Sequence, residues 1–245
     1  MNSLIFPEGV TYTYKYITGG DFVPVDMTLT NVGNLYKMAQ NLVIDVQFDI
    51  SNITDMTNMF YQCSNLTSIP QLDTSKVTNM TNMFYQCSNL TSIPQLDTSN
   101  VISMSGMFSN CNSLTSIPQL DTSKVTNMYA MFQSCSNLTS IPQLDCSKVS
   151  DISTFFGYSD IKALTFLGGF KNLGASSSLS GTSSTYVLAK APNITHESIM
   201  NVINNLYDRA SAGYSVLTLK LHANTLALLS DDDKAIATNK GWTLS

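Results

Sequence analysis

Apolar residues recur along this chain with two periods, a short one inside segments and a long one of 24 residues between them. In residues 76–99, Met80, Met83, Phe84 and Cys87 stand at i, i+3, i+4 and i+7, the spacing of one face of a short helix. Asn89 follows and can take the left-handed conformation that stops such a helix. Leu90-Thr91-Ser92-Ile93 then reads as a short strand ended by Pro94, and Asp97-Thr98-Ser99 supplies turn residues. Val77 and Leu96 complete the apolar set.

The long period is strict. Cys63, Cys87, Cys111 and Cys135 are 24 residues apart, as are Pro70, Pro94, Pro118 and Pro142, and the series Phe60, Phe84, Phe108, Phe132 and Phe156. Residues 57–75 recur unchanged at 81–99. A fixed period of this length predicts a solenoid in which each coil covers the core of the next. The expected architecture is α/β: strands at 66–69, 90–93, 114–117 and 138–141 stacked in parallel about 4.8 Å apart on one side, short helices on the other, and a cap at each end.

The ends differ from the middle. Residues 1–34 alternate on both sides of Gly19-Gly20-Asp21 and read as a β-hairpin cap. The solenoid is expected over 35–167, beginning with a degenerate coil at 35–56. Beyond Phe156 the register slips, and Ile161-Lys162-Ala163-Leu164 is expected as the last strand of this type. Residues 168–245 form a longer-repeat α/β cap: a strand at 185–189, a helix capped by Thr195 with the stripe Ile199, Val202, Ile203 and Leu206, and a strand at 216–221. A helix with the capping pair Ser230 and Asp233 and a closing strand with Trp242 as plug follow.

Composition narrows the partners. Charged residues are only 12% of the chain and the net charge is -5, while Ser, Thr and Asn number 80 of 245 residues. A polar, nearly uncharged surface without a basic cluster excludes nucleic acid as a partner and offers nothing to an anionic membrane. No apolar run approaches the roughly 20 residues of a spanning helix, so no membrane insertion is expected. Residues 1–8 lack the pattern of a secretory signal. Five cysteines, an odd number, argue against a closed disulfide framework.

The phrase Leu72-Asp73-Thr74-Ser75-Lys76-Val77-Thr78-Asn79-Met80, with Asn82-Met83-Phe84 and Cys87-Ser88-Asn89-Leu90-Thr91-Ser92-Ile93, resembles the BspA-like leucine-rich repeats of bacterial surface proteins. The likeness covers about residues 42–164. The C-terminal stretch from Asn193-Ile194-Thr195-His196-Glu197-Ser198 to Trp242 is similar to a module of gut-bacterial and phage-associated proteins. The resemblance implies a solenoid of leucine-rich-repeat type with an adhesion or recognition role, extracellular, on a cell surface or on a virion. Catalytic residues are not part of what it implies.

Candidate sites follow from the ladders. Thr67 and Ser68, Thr91 and Ser92, Thr115 and Ser116, and Thr139 and Ser140 are expected outward on the strands, able to hydrogen-bond a glycan or a partner protein's backbone. Tyr61 and Tyr85 are candidate exposed aromatics, with packing of one on the other as the competing reading. The cysteine ladder is either a redox or metal device or a row of small core residues, and its place in the apolar stripe favours core. Asp73, Asp97, Asp121 and Asp145 either hold Ca²⁺ or bond their own turns, and the Ser two residues on favours turns. Lys76, Lys124 and Lys148 are expected to offset the carboxylates' repulsion. His196 and His222 have no ligand or nucleophile around them, so neither an enzyme, a metal site nor a cofactor is expected. The functional expectation is non-catalytic binding of a protein or glycan surface ligand, with oligomerisation possible; the alternative is a structural spacer or assembly subunit.

Overall fold

The computed structural model describes residues 52–149, 154–156, 166–171, 173, 175, 185–189 and 191–245. The hairpin expected at 1–34, most of the degenerate coil at 35–56 and the strand expected at 161–164 lie outside the described residues.

From residue 52 to 149 the chain stacks on itself at its own period. Parallel bridges link Asp55 to Asn79, Asn79 to Ser103, and Ser103 to Asn127. Within a 24-residue coil the stretch expected to be helical is instead a ribbon of tight turns. Met83, Tyr85 and Cys87 donate their N–H groups to the carbonyls three residues back, at 3.0–3.2 Å. Their neighbours Met80, Asn82, Phe84 and Gln86 donate to Ser103, Ser105, Met107 and Ser109 of the next coil, at 2.8–3.0 Å. A helix would spend all of these donors on its own carbonyls. Stacked coils offer each alternate donor an acceptor across the gap, and the ribbon satisfies both sets.

Positive φ angles make the ribbon possible. Asn58, Asn82, Gly106 and Ala130 occupy one left-handed position in successive coils, at φ 56, 54, 62 and 52°, and Gln62, Gln86, Asn110 and Ser134 occupy a second, at 60, 59, 62 and 59°. Asn and Gly suit this region; Ala130 enters it at a cost of roughly 1–2 kcal/mol. The i, i+3, i+4, i+7 stripe is therefore right about burial and wrong about the element: Met80, Met83, Phe84 and Cys87 are all fully buried.

The strands expected at 66–69, 90–93 and 114–117 do not form regular ladders. Thr91 N–H reaches Thr67 O at 3.1 Å and Thr139 N–H reaches Thr115 O at 2.9 Å. The proline after each segment has no N–H to continue the row. Among the described residues a strand first appears as β1, Ser140–Ile141, followed by β2, Leu144–Asp145; these pair in parallel with β3, Phe166–Leu167, and β4, Phe170–Lys171. The partner of Ser140 is thus Phe166 and not a residue of 161–164.

The core is one cluster of buried residues from Ile53 to Trp242. Phe60, Phe84, Phe108 and Phe132 stack with centroids 5.4–5.7 Å apart and planes within 7°. Phe155 ends the column edge-on, at 75° to Phe132. Each buried Phe contributes about 1.5–3 kcal/mol by burial.

The C-terminal region combines capped helices with a small parallel sheet. β5 (Thr185–Leu188), β6 (Leu217–Leu221) and β7 (Trp242–Leu244) form a parallel sheet in that order. Helix α1 (His196–Asn204) is capped by the Thr195 hydroxyl and buries Ile199, Val202 and Ile203. Helix α3 (Asp231–Asn239) opens with a reciprocal Ser230–Asp233 capping box. Helix α2 (Ala223–Ala227), capped by His222 Nδ1, is an element the apolar pattern does not reveal. Lys240 Nζ donates to the carbonyls of Ile203, Asn204 and Leu206 around the end of α1, and Trp242 Nε1 to Tyr207 O. The two regions meet where Leu173 bridges Leu206 and Gln143 Nε2 reaches Asn205 Oδ1 at 3.2 Å.

Candidate binding groove

After the strand-like segment each coil reads Gln-Leu-Asp, with Thr and Ser next in most, and the stacking aligns these residues in rows. Gln71, Gln95 and Gln119 each donate Nε2 to the backbone oxygen of the Gln 24 residues on, at 2.7 Å. Thr74, Thr98 and Thr122 are buried and donate their hydroxyls to the carbonyls of Asp97, Asp121 and Asp145 in the next coil, at 2.9–3.0 Å. Between these rows lies an open groove of about 1200 Å³, running from Gln71–Ser75 across three further coils to Gln143, Asp145 and Lys171.

Four carboxylates line it. Asp73, Asp97, Asp121 and Asp145 each accept at Oδ1 from the N–H of the Ser two residues on, at 2.9–3.1 Å. The hydroxyl and N–H of Ser99 hold the Asp97 carboxyl below the usual carboxylate range. The N–H and hydroxyl of Ser123 do the same for Asp121. At Asp145 burial pushes upward but is outweighed by Ser147 and by Lys171, so this group too is lowered. Lys171 Nζ sits 3.1 Å from Asp145 Oδ2. Lys124 also holds Asp121 down by its charge, as expected, while Lys76 and Lys124 donate to Asn52 and Asn100 Oδ1 of the preceding coil, at 2.7 and 2.8 Å. Among the described residues no group of three or more His, Cys, Asp or Glu is arranged to hold a metal ion.

The candidate hydroxyl ladder lies elsewhere on the coils. Thr67, Ser68, Thr91, Ser92, Thr115, Ser116 and Thr139 are exposed, and Ser140 is half-buried. Thr91 and Thr139 spend their hydroxyls on the carbonyls of Thr67 and Thr115, at 3.1 and 2.9 Å. Tyr61 and Tyr85 are half-buried and stack on each other at 4.8 Å and 8°, the packing reading of this pair.

All five cysteines are free and buried. Cys87, Cys111 and Cys135 donate their thiols to the carbonyls of Phe60, Phe84 and Phe108, at 3.0–3.1 Å. Burial pushes Cys135 up to about 12 and Cys111 well above the ordinary thiol value. Thiols kept protonated in this way are poor nucleophiles and poor metal ligands.

The groove is what the sequence reasoning missed. Its signal was present: Gln71, Gln95, Gln119 and Gln143 repeat as strictly as the cysteines. Spacing alone does not say that these polar rows border shared space.

A family model described as Mycoplasma protein of unknown function, DUF285, matches residues 28–136 and 64–163, overlapping stretches that together take in more than half of the chain. Neither a curated protein nor a solved structure matches. Among the described residues no helix is long and apolar enough to cross a membrane.

Proposed function

We propose a recognition role for this chain, which belongs to the family described as Mycoplasma protein of unknown function, DUF285: it is a non-catalytic binding module that meets a protein or glycan at a bacterial or virion surface. The fold that serves this role is a solenoid of leucine-rich-repeat type in a BspA-like surface protein. Support for the solenoid comes from bonding between coils at the chain's own period, and for the BspA-like likeness from the repeated Leu-Asp-Thr-Ser phrases.

The observation that carries the reading is the groove of about 1200 Å³ lined in register by four coils. Repeated, weakly binding units gain strength by acting together. The groove is preferred to the Thr/Ser ladder as the contact face because four coils line it in register and because two of the ladder's hydroxyls already serve the backbone.

Two variants test this on the full chain. Ser99→Tyr with Ser123→Tyr fills the groove, and replacement of Thr91, Ser92, Thr115 and Ser116 by Lys blocks the ladder. The reading expects attachment to cells or a glycan array to fall at least tenfold in the first variant and to persist in the second, with thermal stability measured on both. Loss only in the ladder variant moves recognition to the hydroxyls. No attachment by the native chain to any surface favours the spacer reading.

A further inference from the structure

We draw no further inference here: the strongest candidate, the exposed surface patch on the turn ribbon where Ile102 and Tyr129 stand in rows that Thr and Ser fill in the other coils, carries nothing because nothing in the structure shows what covers it.

Discussion

The stacked coils of residues 52–149 and the C-terminal region of 185–245 divide their backbone hydrogen bonds differently, the coils between neighbours at one fixed period and the C-terminal region between local helices and a parallel sheet. In the coils alternate N–H groups reach across to a carbonyl 23 residues on, as Phe84 does to Met107. In the C-terminal region the helices close their hydrogen bonds within themselves and are capped at their N-termini by Thr195 and Ser230, while β5, β6 and β7 pair across distant segments. Charge follows the same division. The coils stack like carboxylates in rows, whereas α3 gathers Asp231, Asp232 and Asp233 at its own N-terminus, where the helix dipole favours them. Periodicity thus dictates how coils meet, and local chemistry dictates what happens where no neighbouring coil competes.

The largest effect that would break this contrast comes from changing the register. Deleting residues 76–99 removes one whole coil and should leave a folded, cooperative protein, because each coil contacts only its neighbours. Deleting residues 76–87 removes half a coil, puts every later donor opposite the wrong carbonyl and should abolish the fold. Circular dichroism with thermal melting separates the two; a folded half-coil deletion would refute the register argument.

Next in size is the aromatic column. Phe84→Ala removes a fully buried ring stacked on both Phe60 and Phe108 and should cost about 3–5 kcal/mol in denaturant unfolding. A cost below about 1 kcal/mol, the scale of an ordinary surface change, would mean that the stack does not hold the coils together.

The same contrast explains what could be read in advance. The period, the buried set and the Phe column were legible because identical coils repeat their core positions. The turn ribbon was not, since Met80, Met83, Phe84 and Cys87 fit a helix equally well and only the acceptors across the gap decide against one. In the C-terminal region the Thr195 and Ser230 caps located α1 and α3 because caps are local signals. Helix α2 was missed because its cap is the ring nitrogen of His222, outside the usual capping residues. Of the site, the Asp turns were legible from the Ser two residues on, but not the groove, which exists only once four coils are stacked.

Smaller effects sharpen the picture. Ala130 holds φ at 52° where equivalent positions carry Asn58, Asn82 and Gly106, so Ala130→Gly should stabilise the protein by about 1 kcal/mol. Chemical denaturation checks the sign, and destabilisation would show that the left-handed turn is not strained. Smallest is the surface pair between α1 and α3. His196 Nε2 lies 3.1 Å from Asp233 Oδ2, and this bond, with those from Ser230, holds the Asp233 carboxyl down to about 2. A depressed folded value contributes stability that is present above the unfolded value of about 3.9 and is lost as pH falls through the folded one. His196→Ala should raise the Asp233 midpoint, read by carboxyl NMR titration; an unchanged midpoint would assign the shift to the capping box alone.

The most direct measurement of the central claim is the NMR coupling across hydrogen bonds between amide nitrogen and carbonyl carbon. The account predicts couplings from Asn82 to Ser105, from Phe84 to Met107 and from Gln86 to Ser109. Couplings from Phe84 to Met80 and from Gln86 to Asn82 instead would mean a helix in each coil and would contradict it.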